Sequence, residues 1–272
     1  MNFLVLLLVL WVEKFSSGRQ RIQQDGPWLQ WLASNEGGSP WRALALAVLL
    51  PVALLGVALL ILQPLAYGWL ALPVHLLVLV YSLGRGDVLA ALGPFRDAWR
   101  RGDDQAALHV AERDLGVAAD GEAELLERVQ DYELWQAYQG FFAVIFWYAL
   151  LGPLPALAYR LLALSAEHGQ PAVAERAAQL RHAFDWLPVR VLAASFALVG
   201  NFAAVSRAVL HDLLAWDLPA ARLVANAGRA ASELAEPQPG ESGANSLDEL
   251  WQLLIRSAVL WYAAFAVWIL LL

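Results

Sequence analysis

ALALAVLLPVALLGVALLILQPLAYGWLALPVHLLVLVYSLG, residues 43–84, holds no Asp, Glu, Lys or Arg in 42 positions and lies between Arg42 and Arg85. A soluble domain has no use for such a run, because it could not bury it and keep a wettable surface. One helical crossing of a bilayer needs about 20 apolar residues. The run is therefore long enough for two crossings, 43–62 and 65–83, with Gln63-Pro64 as the turn. Pro51 and Pro73 fall inside these helices, where proline is tolerated because neighbouring helices can satisfy the carbonyls it frees. His75 is ionisable within the run. Such a residue is either functional or a neutral ring hydrogen-bonded to a neighbouring helix.

Composition agrees with a membrane setting. Hydrophobic residues make up 60% of the 272, against about 45–50% in ordinary soluble domains. There are 13 Trp, several near the ends of apolar runs (Trp11, Trp41, Trp251, Trp261), where an indole can satisfy both its apolar body and its N–H. The absence of Cys excludes disulfides, thiolate metal sites and a cysteine nucleophile. A net charge of −7 argues against a nucleic-acid partner, which would call for a basic patch. The apolar stretch 3–12 has no basic residue before it and no small-residue cleavage site after it, so it reads as a retained membrane segment.

Outward from the central run, Trp28, Leu29, Trp31 and Leu32 have helical spacing and predict a small amphipathic helix, followed by a loop at 35–40. The polar segment 84–133 predicts two short helices over 95–114, broken near Gly102-Asp103. A third is predicted over 121–139, with Leu125, Leu126, Val129, Tyr132 and Leu134 on one side. Residues 134–159 are free of charge but interrupted by Gly152-Pro153-Leu154-Pro155, which breaks a helix. They form either a kinked crossing or a re-entrant pair of half-helices. A polar helix over 165–186, an apolar helix over 188–206, a polar loop over 209–250 and a last crossing over 252–272 follow. The expected fold is an all-α polytopic integral membrane protein. It has about five transmembrane or re-entrant helices, a short apolar N-terminal segment and amphipathic cytoplasmic helices, in a single domain over 1–272. The Arg-rich loops 13–42, 84–133 and 209–250 share the cytoplasmic side if every long segment crosses. If 134–164 is re-entrant, the 165–187 loop replaces the last of them.

The densest local motif is Phe184-Asp185-Trp186-Leu187-Pro188-Val189-Arg190 at the mouth of an apolar helix. Asp185 is suited to cap a helix N-terminus and Pro188 to its first turn. Arg190 would then enter the membrane, where a charge needs a partner or an anionic ligand. Gly84-Arg85-Gly86-Asp87 lacks the Lys and Ser/Thr of a phosphate-cradling loop and reads more simply as a helix end. Arg207, His211, Asp212, Asp217 and Arg222 read as a solvated face, since His211 has no second His at helical spacing.

With these residues in view, the chain resembles the AmpE/CobD/CbiB family of bacterial inner-membrane proteins. Trp11-Val12-Glu13-Lys14-Phe15 resembles the family's apolar opening with its acidic residue. Phe146-Trp147-Tyr148, then Gly152-Pro153-Leu154-Pro155 and Tyr159-Arg160, resemble its central segment. Asp185 to Arg190 resembles its Pro-Ala-Arg signature. One branch of the family joins an aminopropanol phosphate to a corrinoid carboxylate with ATP; the AmpE branch is associated with β-lactamase regulation. Where the synthase branch has Glu-x-x-x-Glu-Asn and a following Asp, this chain has Asp131, Trp135, Gln136 and Gln139. Arg181 and His182 stand for its paired Asp, Asp185 for its Asn, and Ala163 and Ala166 for a later Asn and Asp. Amide formation driven by ATP needs Mg²⁺ held by carboxylate oxygens, and those ligands are largely gone.

The resemblance therefore implies a non-catalytic sensor or transducer of the bacterial inner membrane, acting in β-lactamase induction and the response to cell-wall antibiotics. Its expected ligand or partner pocket draws on Arg190, Asp185, Arg160, Tyr159, Asp131, Tyr138 and Glu13, with Trp147 as a further wall. No metal and no cofactor are expected. Its partners are the lipid bilayer and a cell-wall fragment or protein, with oligomers compatible. The alternative is a diverged ligase that binds Mg-ATP through Asp131, Glu133, Asp114 and Asp185. A transporter would need more ionisable groups than His75 along its path.

Overall fold

The computed structural model describes residues 4–9, 22–35, 37–64, 69–84, 87–232 and 241–271. Among these the ordered elements are all helical. They are α1 (Gly26–Asn35), α2 (Pro40–Leu62), α3 (Ala71–Ser82), α4 (Val88–Arg100), α5 (104–115), α6 (122–151), α7 (Pro153–His168), α8 (Pro171–Val199), α9 (Phe202–Val209), α10 (Ala220–Ala231) and α11 (Glu241–Leu271). Four of them contain stretches long and apolar enough to cross a membrane: Pro40–Leu62, Glu124–Leu151, Pro171–Val199 and Ala244–Leu271. At 1.5 Å per residue, the first is about 34 Å long, which exceeds a hydrocarbon core of about 30 Å. The returning segment after Gln63-Pro64 is present as α3. Its 12 residues reach only about 18 Å, and residues 65–68 lie outside the described set.

The chain divides into two compact units. The first takes residues 1–83, 143–185 and 268–272, and the second residues 84–142 and 186–267.

In the first unit, Leu32 of α1, Ala43, Leu44, Ala47 and Val48 of α2, Val78 of α3, Leu157, Leu161 and Leu162 of α7, and Val173 and Ala177 of α8 form the core. The two alanines of α2 are four residues apart and let α1 approach closely. That approach solves a backbone problem. Pro51 has no N–H, so the carbonyl it would have bound in an α-turn (Ala47) and in a π-turn (Leu46) lose their donor. The helix is π-wound over Ala45–Leu49, and the two indoles of α1 supply the missing donors. Trp28 Nε1 donates to Ala47 O at 3.1 Å and Trp31 Nε1 to Leu46 O at 3.3 Å. At the C-terminal end of α3, Gln23 Nε2 donates to Val80 O and Leu83 O, two of the carbonyls a helix C-terminus leaves orphaned. Gly152 (φ 86°) breaks the apolar segment where Cβ-bearing residues are disfavoured, and Pro153 opens α7 at N1.

In the second unit, α4 turns Leu92, Phe95, Ala98 and Trp99 inward at helical spacing. They meet Ala107, Ala111 and Leu115 of α5, Leu125, Leu126 and Val129 of α6, and Ala244 and Leu247 of α11. Asp87 caps α4 by accepting from Leu89 and Ala90 N–H. Gly102 (φ 68°) and the Asp103 cap make the expected break before α5. Gly84 N–H donates to Gly140 O at 2.7 Å, and a Cβ on Gly84 would stand 2.8 Å from Gly140 Cα.

Three boundaries differ from expectation. The predicted 121–139 helix continues without interruption into the apolar segment to form α6, because nothing between Ala137 and Ala143 breaks it; a π-turn over Tyr138–Phe142 absorbs Gly140. The predicted helices 165–186 and 188–206 are one 29-residue helix, α8, with Pro188 in its interior. Asp185 is therefore not an N-cap. Its carboxylate is used by Tyr159 and Arg181 instead of by the N–H groups of its own turn. Finally, α11 begins at Glu241, ahead of the expected 252, because Ala244, Leu247, Leu250 and Leu254 give 241–251 an apolar face that is buried.

Replacing Trp28 by Phe leaves the Ala47 carbonyl without its donor. The expected cost is about 1–3 kcal/mol, read as a lower unfolding midpoint in detergent, while Trp69→Phe at an exposed indole leaves the midpoint in place. Equal midpoints for the two variants would refute this role for α1.

Candidate functional site

Inside the first unit, α7 and α8 bring together Tyr159 and Asp185, both almost fully buried. The phenol donates to Asp185 Oδ1 at 2.9 Å. Arg181, one turn before Asp185, lies 3.6 Å from Oδ2, reaches Glu167 at 3.7 Å and stands 5.9 Å from the Tyr159 ring. Arg160 faces Asp25 at 3.3 Å, and Tyr81 donates to the other oxygen of the same carboxylate. His75 shares a 3.0 Å hydrogen bond with Tyr148, a partner on a neighbouring helix. Trp147 packs on Phe184 at 5.2 Å between ring centres.

Inside the second unit, Arg190 turns its guanidinium on main-chain carbonyls. Nη1 donates to Trp186 O at 2.6 Å, Nη2 to Ala215 O at 2.7 Å, and Nε to Leu213 O. It also stacks on the Trp186 ring at 4.1 Å. Arg190 therefore holds the turn at 210–216 in place. Asp131 accepts from Arg229 at 2.6 Å, and the same guanidinium meets Glu127 at 2.8 Å. Tyr138 is buried and stacks on Trp135 at 5.3 Å. Glu13 lies outside the described residues.

Of the seven candidates, the structure thus joins Tyr159 to Asp185 and gives Arg160, Arg190 and Asp131 each a different set of partners. Asp114, a carboxylate of the ligase alternative, accepts two hydrogen bonds from Arg113. That bond holds its carboxyl below the usual range. Among the described residues, no group of three His, Cys, Asp or Glu is placed to hold a metal ion.

Sequence reading missed Asp25 and Arg229, and it named Glu133 only as a carboxylate of the ligase alternative, without Arg96 and Asp248 beside it. Asp25 and Arg229 sit in polar stretches where nothing distinguishes them from solvated charges. Glu133 carried a signal: Leu126, Val129 and Glu133 follow at i, i+3 and i+7, so it falls on the apolar face of α6. It is fully buried, and its nearest countercharge, Arg96 Nη2, is 3.8 Å away. Neither carboxylate oxygen has a hydrogen-bond partner. Arg96 gives its short bond, 2.7 Å, to Asp248 of α11, which Arg100 also approaches at 3.6 Å.

Glu133 relies on Arg96 to offset its desolvation. Arg96→Met removes the nearest countercharge of Glu133 and the 2.7 Å bond to Asp248, and should lower the thermal unfolding midpoint. Adding Glu133→Gln to Arg96→Met should recover most of the loss, and a double variant as unstable as the single would contradict the pairing.

Compared with known proteins, residues 1–217 match the family model described as "Regulatory signalling modulator protein AmpE". No curated protein and no solved structure matches the chain.

Proposed function

This chain belongs to the AmpE family, and from that premise we propose that it is a non-catalytic regulator of signalling in the bacterial inner membrane, linked to β-lactamase induction and the response to cell-wall antibiotics. The family's description as a signalling modulator supports the regulatory part of the reading. The four helices of membrane-crossing length and composition support the membrane setting.

One observation carries the non-catalytic part: carboxylates that Mg-ATP chemistry would need are already engaged. Asp131 is held by Arg229, Asp185 by Tyr159 and Arg181, and Asp114 by Arg113. A carboxylate neutralised by a guanidinium is a poor ligand for a cation that must offset phosphate charge. In this reading the charge pairs are structural elements that a signal rearranges. Ligand or partner binding at Arg160 and Asp185 in the first unit, or at Arg190 in the second, would act by competing for their partners, which is how a local electrostatic event biases a two-state element.

The test is deletion of the gene in its bacterial host, followed by β-lactamase activity after a sub-inhibitory dose of a cell-wall antibiotic. The expected result is a severalfold change in induction that the wild-type gene restores. Induction unchanged by deletion overturns the β-lactamase link. Calorimetry of the purified protein with Mg-ATP is expected to show no binding up to millimolar nucleotide; binding abolished by Asp185→Ala would favour the ligase instead.

A further inference from the structure

The second unit contains an open polar groove of about 1100 Å³ that none of the seven candidate residues lines. Its walls come from the C-terminal end of α8, the start of α9, the end of α10 and one face of α11. Its polar side chains are Asn201, Ser232, Asn245, Asp248, Glu249, Gln252 and Arg256. Val199 ends one membrane-length helix, and Gln252 and Arg256 lie along the middle of another, Ala244–Leu271, ahead of the apolar stretch from Ala258 to Leu271. The side chains beside the groove are apolar and outward-facing: Leu198 is 71% exposed, Phe202 65% and Val259 64%. A groove with a polar floor and apolar, outward-facing neighbours fits a molecule with a charged head and acyl tails.

The charges say which head. Asp248 and Glu249 are adjacent carboxylates. Arg96 occupies Asp248 Oδ1 at 2.7 Å and Arg100 stands 3.6 Å from Oδ2, whereas Glu249 is exposed with no ion pair among the described residues, so Glu249 is the carboxylate left for a cation. Arg256 spends Nε on Gln252 O and Nη1 on Val199 O, which fixes the guanidinium and leaves Nη2 for an anion. Acceptors and an anchored cationic donor in one groove match an ammonium group next to an anionic oxygen. Three amide side chains can bond the ester and glycerol oxygens between them. We propose that the groove binds an ammonium–phosphate zwitterion, with the ammonium on Glu249 and the phosphate on Arg256. Two sources supply this chemistry: the phosphoethanolamine headgroup of a membrane phospholipid, and a soluble phosphoethanolamine-type molecule. The primary ammonium is essential to the fit, because a quaternary ammonium has no N–H to give a carboxylate.

The full-length protein in detergent is titrated with short-chain phosphatidylethanolamine, short-chain phosphatidylcholine and soluble O-phosphoethanolamine, and binding is read by native mass spectrometry. The expected result is at least tenfold tighter binding of the ethanolamine lipid than the choline lipid. Glu249→Gln removes that preference, and Arg256→Gln weakens both lipids. Glu249 has no ion pair to lose, so Glu249→Gln separates recognition from folding, which the unfolding midpoint checks. Soluble phosphoethanolamine binding as tightly as the lipid assigns the site to a soluble zwitterion; much weaker binding assigns it to the lipid. Equal binding of the two lipids by the wild type, or a preference that survives Glu249→Gln, overturns the proposal. The proposal is independent of the β-lactamase link and stands or falls without it.

Discussion

A peptide carbonyl that loses its donor inside hydrocarbon has no water to turn to, and this constraint organises the first unit. Pro51 creates such a loss in the middle of the most apolar helix of the chain. The answer is local: a π-turn at Ala45–Leu49 displaces the orphaned carbonyls, and an amphipathic helix offers two indole N–H groups to them. The placement of α1 therefore follows from a proline sixteen residues beyond its end. Small residues at Ala43 and Ala47 make the approach possible. Charge obeys the same logic. Asp185, Arg181, Glu133 and Arg96 are all withdrawn from water and all have a partner of opposite sign or a phenol within reach. Glu133 is the least satisfied of these groups, and so the most sensitive to its single countercharge.

Arginine does different work at different places. Arg160, Arg181 and Arg229 meet carboxylates, whereas Arg190 and Arg256 meet carbonyls. A guanidinium presents five donors in a fixed plane, so it can bind several carbonyls at once and pin an irregular segment, as Arg190 does at 210–216. Of the 18 basic residues only Lys14 is a lysine. A compact ammonium would serve poorly where one cation must span two or three acceptors.

Much of the fold was legible in the sequence because hydrocarbon demands long, uncharged runs. The crossing at 43–62, the amphipathic helix at Trp28–Leu32, the break at Gly102-Asp103 and the interruption at Gly152-Pro153 all follow from composition and helix-breaking chemistry. What was not legible depended on tertiary partners. Asp185 and Pro188 make a convincing helix start by local rules, yet a phenol from α7 takes the carboxylate and the helix runs through. Pairs such as Asp25–Arg160 and Asp131–Arg229 span 135 and 98 residues, and no local pattern encodes them. Arg190 was singled out correctly as a charge in need of partners, but those partners are three backbone carbonyls, which leave no trace in side-chain identity.

The account rests on helices that cross a bilayer, and the absence of native cysteine makes that directly testable. Gly38 and Gln63 flank α2 and are both exposed. Single cysteines at these two positions should react with a membrane-impermeant maleimide from opposite faces, one in intact spheroplasts and the other in inverted vesicles. Labelling of both from the same face would mean that α2 does not span, and would contradict the account at its base.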